Sequence, residues 1–390
     1  MSKPRWDIFC KVVDNFGDIG VCWRLAKQLA CEHGLPVNLM IDDLALAQKI
    51  IPALHLSKKN QIIQGVKISH WQTETVFTTA ADVVIEAFAC ELPTRYLALM
   101  QQKTVWVNVE YLSAEPWVAD FHGRHSTVGN LTRHFYFPGF SENTGGLIRE
   151  KNAVKVTKLT QNLPCTSFPR KRESMLNLNQ NLKWIPAFAG MTVEKEALNI
   201  SLFCYEHAPL QALFNAVAGG IQKAAMYAPL TTSIQQIAPF FGKKTFKAGD
   251  VFTKNQLTLH VLPFLSQHDY DQLLCACDLN FVRGEDSWVR AIWAGNPFIW
   301  QPYVQTENTH LIKLAAFQAL FYAEFGVLEI ARIESMHKSW TNGTLNEAVW
   351  QDYLSALPEI KKSTQAKCLQ LAQQPDLASK LVAFCHNAQT

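Results

Sequence analysis

Short apolar runs alternate with segments of helical periodicity along the first half of this 390-residue chain. Short apolar runs predict buried strands, and apolar residues spaced three or four apart predict helices that pack on them. The predicted strands are residues 6–13, 36–41, 82–87 and 104–109, and the first predicted helices are residues 19–33 and 44–50. Strands and helices in alternation predict a doubly wound parallel sheet.

The same alternation starts again near residue 197 and predicts a second α/β domain with its own sheet. Its predicted strands are residues 197–205, 256–262, 278–282 and 297–300, and its predicted helices are residues 210–218, 269–277, 288–294 and 310–319. The rest of the chain is mostly helical in pattern, with a last apolar-patterned segment at residues 377–384. With 48% hydrophobic residues, a chain of this length can bury two such cores.

The stretch between the two halves differs from both. Residues 150–196 lose their periodicity and contain several prolines, which interrupt helices. Residues 167–174 and 184–192 resemble the translation of a dispersed bacterial intergenic repeat that has entered a gene. Because exposed connections tolerate insertions, we expect a linker here and assign no function to its basic triplet at residues 170–172.

These patterns divide the chain into four parts. We expect an N-terminal Rossmann-like domain and a linker with an inserted loop, followed by a second Rossmann-like domain and a C-terminal helix that packs back on the first domain. Their predicted ranges are residues 1–150, 151–196, 197–360 and 361–390.

Charge and cysteine usage narrow the function classes. A formal net charge of +3 is nearly neutral for this length, which argues against general binding to nucleic acid or a membrane surface. No apolar run approaches the roughly eighteen residues of a membrane span, and the N-terminus lacks a secretory pattern. The ten cysteines lie mostly in apolar runs, without a CxxC pair or zinc spacing, as is typical of reduced, buried residues. We therefore expect a soluble cytoplasmic protein.

The first strand-to-helix turn, residues 14–20 (DNFGDIG), contains two carboxylates around a glycine. In an open parallel sheet this turn lies at the carboxyl ends of the strands, where ligands bind. Its glycines do not match the GxGxxG dinucleotide pattern, so nicotinamide binding loses its main support. A carboxylate here can act as a general base. The alternative is that Asp14 caps a turn and Asp18 caps the helix.

A second polar turn, residues 283–287 (RGEDS), separates the strand candidate 278–282 from a helix. The unpaired N–H groups at a helix start bind phosphate, and the guanidinium of Arg283 adds a forked donor. We expect Asp286 or Ser287 to cap this helix. The carboxylate of Glu285 would repel an anion, which indicates that Glu285 has a different role. An ordinary cap with a surface ion pair remains the alternative.

Aromatic residues precede the helix at 269–277. Phe264 and Tyr270 are placed to stack on a planar ring and Gln267 to bind its edge, although both aromatics also suit core positions. The Asp-x-Asp match at residues 269–271 falls at a predicted helix start, so we interpret it as capping and not as a metal site. Two Rossmann-like domains with these features have the layout of GT-B glycosyltransferases, whose nucleotide sugar lies in the cleft between the domains.

Four motifs together resemble the protein-arginine rhamnosyltransferases that modify elongation factor P. They are residues 14–21 (DNFGDIGV), residues 82–90 (DVVIEAFAC), residues 139–142 (GFSE) with 146–150 (GLIRE), and residues 283–287 (RGEDS) with Ala291 and residues 295–297 (GNP). The resemblance covers nearly the whole chain except the insert. It implies an inverting transfer of L-rhamnose from TDP-β-L-rhamnose to one arginine of elongation factor P, which then relieves ribosomes stalled on proline runs. It implies no cofactor and no metal.

The resemblance also implies roles for individual residues. Asp18 matches the general base, Asp14 its partner carboxylate and Glu285 a second catalytic carboxylate that binds the incoming guanidinium. The residues that would bind substrate are Asn15, Phe16 and Gly17 for rhamnose and acceptor, Phe203, Tyr205, Phe264, Gln267 and Tyr270 for base and ribose, and Arg283, Gly284, Asp286 and Ser287 at the pyrophosphate.

Two alternatives stay open on the sequence chemistry alone. One is a GT-B glycosyltransferase with another sugar or acceptor. The other is a binding module of the same fold that has lost its chemistry, which the presence of both Asp18 and Glu285 speaks against.

Overall fold

The N-terminal half folds around an eight-stranded sheet. The computed structural model describes residues 3–14, 16–153 and 197–389. The strands of this sheet are β1 (Trp6–Cys10), β2 (Val37–Ile41), β3 (Asn60–Ile63), β4 (Val66–His70), β5 (Val83–Ala87), β6 (Val105–Val109), β7 (His125–Val128) and β8 (Leu131–Tyr136). Their order is β3-β4-β2-β1-β5-β6-β8-β7. The six inner strands run parallel, and β3 and β7 pair antiparallel at the two edges.

The second sheet has six strands. They are β9 (Leu198–Leu202), β10 (Ala224–Pro229), β11 (Val251–Lys254), β12 (Leu257–Leu262), β13 (Leu279–Arg283) and β14 (Phe298–Gln301), in the order β11-β12-β10-β9-β13-β14. Only the edge strand β11 is antiparallel to its neighbour. Both sheets therefore match the predicted parallel α/β architecture.

Helices cover both sheets. In the first domain they are α1 (Gly17–Cys31), α2 (Leu44–Ile50), α3 (Thr94–Leu97) and α4 (Trp117–Phe121). The later helices are α5 (Leu210–Gly219), α6 (Thr232–Gln235), α7 (Gln267–Ala276), α8 (Asp286–Ala294), α9 (Thr309–Phe321), α10 (Val327–Asn342), α11 (Glu347–Ser355), α12 (Leu357–Leu371) and α13 (Leu377–Gln389).

The C-terminal helix α13 packs against the first domain. The ring of Phe384 contacts the rings of His134 and Tyr136, with centroids 5.5 and 5.4 Å apart. The backbone N–H of Leu377 donates to the carbonyl of Leu147 at 2.9 Å. The end of the chain thus crosses back to the N-terminal sheet. The domain boundaries at residues 150, 196 and 360 themselves stay predictions.

The structure can be compared with the expectations about membrane spans and about cysteines. Among the described residues, no helix combines the length and apolarity that a membrane span requires. Seven of the described cysteines are buried, as expected, whereas Cys31 is exposed. The predicted insert, its basic triplet and Cys165 lie outside the described residues.

Candidate active site

Loops that follow strands of both sheets meet at a cleft with an open volume of about 590 Å³. Of the fifteen residues predicted for the site, the cleft is lined by Asp14, Phe16, Gly17, Phe203, Tyr205, Phe264, Gln267, Tyr270, Arg283, Gly284, Asp286 and Ser287. Asp18 and Glu285 lie beside this set, and Asn15 lies outside the described residues. Ile50, Pro229 and Leu265 also line the cleft and were not predicted.

The guanidinium of Arg283, at the end of β13, lies among aromatic rings. Its central carbon is 4.4 Å from the ring centroid of Phe203 and 4.6 Å from that of Tyr205. One N–H donates to the carbonyl of Cys204 at 3.3 Å. Within the described part of the chain, no carboxylate oxygen lies within 4.0 Å of this guanidinium. Most of its N–H donors therefore remain available to an anion in the cleft.

The helix start beside Arg283 also carries unsatisfied donors. The cap position of α8 is Glu285, and no side chain accepts a hydrogen bond from the first turn. The prediction that Asp286 or Ser287 caps the helix was wrong. The Ser287 hydroxyl instead bonds the backbone of Arg283, accepting from its N–H at 3.2 Å and donating to its carbonyl. An uncapped helix start next to a guanidinium with unused N–H donors is suited to binding phosphate.

The Asp286 side chain points away from this role. Its Oδ1 accepts from Arg24 Nε at 2.6 Å, and its Oδ2 accepts from Gln267 Nε2 at 3.1 Å. A carboxylate repels phosphate, so what Asp286 offers to an anion is its backbone N–H. Gln267 Nε2 also donates to the carbonyl of Gly20 at 2.9 Å, and its buried Oε1 has no partner among the described residues. The Gln267 amide thus links the two domains as well as lining the cleft.

Gly284 keeps the two domains close at the centre of the cleft. Its φ of +61° is in the left-handed region. A Cβ at this position would lie 3.0 Å from Asp14 Oδ2 and 3.0 Å from the Tyr205 hydroxyl oxygen. Tyr205 donates to Asp14 Oδ2 at 2.9 Å. Glycine is therefore required here both by backbone conformation and by space.

Asp18 is buried on the first turn of α1, with 1% of its surface exposed. Its Oδ2 accepts from the backbone N–H groups of Val13 at 2.7 Å and Asp14 at 2.8 Å. Its Oδ1 accepts from the Tyr111 hydroxyl at 3.2 Å. Burial raises the pKa of Asp18 although these hydrogen bonds act to lower it. Asp18 does not cap α1, whose cap residue is Phe16 without a side-chain cap bond.

Glu285 comes from the second domain but is bound by the first. Its Oε2 accepts from the backbone N–H of Leu112 at 2.9 Å. Burial raises the pKa of Glu285 to about 7, against a lowering effect of Lys313, and Asp18 and Asp14 raise it further. Asp18 is therefore close enough to Glu285 for their charges to interact.

Asp14 completes the group of carboxylates. Burial raises the pKa of Asp14 to about 6, although the hydrogen bond from Tyr205 and the charge of Arg283 lower it. The neighbouring charge of Asp18 raises it as well. Three carboxylates with raised pKa values thus surround one end of the cleft, which is an arrangement suited to a cationic ligand that restores their ionisation.

An ion-pair network ties the domains together behind the cleft. Arg24 of α1 contacts Asp286 at 2.6 Å, Asp271 at 2.8 Å and Glu150 at 3.2 Å. Arg290 of α8 contacts the same Asp271 and Glu150 at 2.8 and 2.5 Å. The two aspartates of the Asp-x-Asp match therefore have different roles. Asp269 bonds Ser266, the cap residue of α7, and Asp271 pairs with the arginines of this network.

Metal ligation has no support in the described residues, where no three His, Cys, Asp or Glu side chains are grouped for a metal ion. Metal independence itself stays a prediction. The charged groups that would balance a diphosphate here are Arg283 and the start of α8.

Two residues outside the predicted site set act on the carboxylates. Tyr111 follows β6 and donates to Asp18, and Lys313 of α9 lies near Glu285, with its Nζ 5.7 Å from the Tyr111 ring centroid. The position of Tyr111 directly after a parallel strand was a usable signal, because strand ends gather at the ligand edge. Lys313 lies inside a helix, and only the tertiary fold brings it to the cleft.

Two Rossmann-like domains with a shared cleft, unused N–H donors on the second domain and carboxylates on the first define a GT-B glycosyltransferase. Comparisons with known proteins identify its family. A profile described as "Elongation-Factor P (EF-P) rhamnosyltransferase EarP" matches residues 6–386. The chain belongs to this family and is a protein-arginine rhamnosyltransferase.

Characterised relatives agree with this assignment. The protein-arginine rhamnosyltransferase of Pseudomonas putida is 40% identical over 390 residues, covering 99% of this chain and 100% of the relative. That of Pseudomonas aeruginosa is 38% identical over 97% of this chain and 98% of its own length. A solved structure from work on EarP-mediated arginine glycosylation of translation elongation factor EF-P superposes with a TM-score of 0.67 and 30% identity, covering 99% of each chain.

Proposed function

We propose that this enzyme transfers L-rhamnose from TDP-β-L-rhamnose to a single arginine of elongation factor P, with inversion, in the cytoplasm where translation factors act. The observation that carries the proposal is that Asp18 and Glu285, from different domains, are held by neighbouring residues Tyr111 and Leu112. Carboxylates on both sides of one cleft suit an acceptor that is permanently cationic.

The end of the cleft that would bind the sugar donor combines aromatic rings with N–H groups. Phe203, Tyr205, Phe264 and Tyr270 offer faces to a planar base. Arg283 and the uncapped start of α8 would hold the diphosphate. As the bond between C1 and the diphosphate oxygen breaks, its electron pair leaves on that oxygen, and these groups stabilise the developing charge.

The acceptor end must make a guanidinium nucleophilic. It stays protonated in water at neutral pH and its lone pairs are delocalised, so it attacks only as it gives up a proton. Asp18 would accept that proton as the arginine nitrogen bonds C1 from the face opposite the diphosphate, and Glu285 and Asp14 would balance the positive charge that the glycosylated guanidinium keeps. This gives an α-linked product. One positioned carboxylate contributes on the order of 10²- to 10⁴-fold by proton transfer.

Intact mass spectrometry of elongation factor P after incubation with the enzyme and TDP-L-rhamnose tests the reaction. We expect a gain of ~146 Da on a single arginine, and no gain with Asp18→Asn, whose amide cannot accept the proton. The variant should still bind TDP-rhamnose in calorimetry. Normal turnover by Asp18→Asn would refute the base assignment, and donor binding without any mass gain in the wild type would refute the acceptor.

A further inference from the structure

The segment after β6, residues 110–112, contacts both predicted catalytic carboxylates, and the proposed function above gives its side chains no step in the reaction. The Tyr111 hydroxyl donates to Asp18 Oδ1 at 3.2 Å. The next residue, Leu112, donates its backbone N–H to Glu285 Oε2 at 2.9 Å. Two adjacent residues of the first domain therefore set where a carboxylate of each domain lies.

The hydrogen bonds of Asp18 distinguish its two oxygens. Oδ2 accepts two short bonds from the backbone N–H groups of Val13 and Asp14, at 2.7 and 2.8 Å. Oδ1 has the Tyr111 hydroxyl, at 3.2 Å, as its partner among the described residues. A carboxylate oxygen has two lone pairs, so Oδ1 keeps one for an incoming N–H, whereas Oδ2 is filled. Oδ1 is thus the oxygen that takes a proton.

The Tyr111 ring is itself fixed by a strained loop. Phe88 stacks on it, with centroids 4.3 Å apart and planes 12° from parallel. Phe88, Ala89 and Glu91 have φ values of +56°, +51° and +59°, which cost energy for residues other than glycine. Side chains hold this conformation: the N–H of Ala89 donates to Asn108 Oδ1 and that of Glu91 to Glu86 Oε1, both at 3.0 Å.

We propose that Tyr111 is a positioning residue of the transfer reaction: its hydroxyl, held by the Phe88 stack, fixes Asp18 Oδ1 toward the acceptor guanidinium and keeps that oxygen ionised. The inference rests on the proposed role of Asp18 as the proton acceptor. Tyr111 acts through Asp18, so its loss changes the protonation of the carboxylate more than the binding of either substrate.

Other ionisable groups also face Asp18. They are Asp14 of the same loop, Asp42 after β2, Glu285 at the start of α8, and the thiols of Cys10 on β1 and Cys22 on α1. Lys313 of α9 acts on this group through Glu285. The Tyr111 hydroxyl is a hydrogen-bond donor to the charged form of Asp18, so its removal raises the pKa of Asp18.

The test is the pH dependence of kcat/KM for Tyr111→Phe, between pH 5 and 8, with elongation factor P as acceptor. This change deletes one oxygen and keeps the ring that Phe88 and Lys313 contact. We expect the acidic side of the profile to move to higher pH by ~0.5–1 unit and kcat to fall about tenfold, since the lost hydrogen bond is to a charged group. The TDP-rhamnose affinity should stay within about twofold of the wild type.

Two further variants make the outcome unambiguous. Tyr353→Phe, on α11 outside the cleft, deletes a hydroxyl from a buried tyrosine and should leave the profile unmoved. Phe88→Leu keeps the Tyr111 hydroxyl but removes its stacking partner, and should move the profile in the same direction by less. An unmoved profile in both Tyr111→Phe and Phe88→Leu, with Asp18→Asn inactive, would overturn this inference alone. Turnover by Asp18→Asn would instead remove the base assignment itself.

Discussion

At the scale of single residues, Arg283 shows how the cleft holds a cation without neutralising it. A guanidinium near a carboxylate is neutralised before the ligand arrives, whereas rings hold its plane without occupying its N–H donors. Phe203 and Tyr205 provide this contact at 4.4 and 4.6 Å. The rings thus orient a guanidinium most of whose N–H donors are still unused.

Arg283→Met should weaken TDP-rhamnose binding about 10- to 100-fold, because each hydrogen bond to a charged group contributes ~1.5–3 kcal/mol. Arg283→Lys keeps the charge but loses the planar fork, so it should recover only part of the affinity. Isothermal calorimetry with TDP measures both. Unchanged affinity in Arg283→Met would contradict a phosphate role, and full recovery by lysine would show that charge alone suffices.

The residues predicted from motifs lie together at the cleft, and the local prediction failed where a partner is distant in sequence. The carboxylates of residues 14–18 and 285 could be proposed because each follows a strand that ends at the ligand edge. The Asp286 side chain was misjudged, because its partner Arg24 is 262 positions away. Lys313 carried no local signal for the same reason.

At the scale of elements, helices α1, α7 and α8 meet through charges that are mostly out of water. Arg24 is 2% exposed and bridges carboxylates from α7, α8 and the end of the first domain. Burying such charges is costly, and they are tolerated only when each has its partners. The pKa of Glu150 falls to about 2, since Arg290 and Arg24 offset the raising effect of its burial.

Arg24→Met should lower the free energy of unfolding by about 3–5 kcal/mol, because it leaves buried carboxylates without a counter-charge. Arg332→Met is the matched control: Arg332 pairs with Asp352 at 2.9 Å, but both side chains are more exposed, so its loss should cost at most about 1 kcal/mol. Urea denaturation followed by tryptophan fluorescence gives both values. Equal losses in the two variants would show that the Arg24 network does not depend on its burial.

The elements that the sequence predicted are the buried ones. Six strands are buried at every residue: β1, β2, β5, β6, β9 and β10. Those that contain a continuous apolar run were predicted from that pattern. Edge strands β3, β7 and β11 are half exposed and mix polar with apolar residues, so no run marks them. The strand β10, residues AAMYAP, was missed although it is buried, because alanines and a proline are poor strand formers.

At the scale of the whole molecule, the site exists only because two domains meet. The Asp14 and Tyr205 pair, the Leu112 and Glu285 pair and the contact of Phe16 with Phe264 each join the two sheets' loops. The fold class follows from strand and helix patterns. The distances across the cleft do not, because they depend on how two separately patterned domains pack.

This meeting of domains buries carboxylates before the acceptor arginine arrives, which costs stability at high pH. The pKa of Glu285 in the folded protein is about 7 against its ordinary 4.5, so between these values the folded state holds a proton that the unfolded state has lost. The stabilising contribution is therefore complete below about pH 4.5 and is lost as the pH rises through 7.

Glu285→Gln, which does not titrate, should remove this loss. Between pH 5 and 8 the wild type should lose about 2 kcal/mol of unfolding free energy relative to the variant, as a shift of this size implies. Denaturation curves of both proteins at each pH measure the difference, with Glu334→Gln on the exposed side of α10 as a control that should follow the wild type. Parallel curves for wild type and Glu285→Gln would mean that Glu285 is already ionised at neutral pH without the acceptor. A slope that disappears in Glu285→Gln would mean that the raised pKa of Glu285 causes this pH dependence.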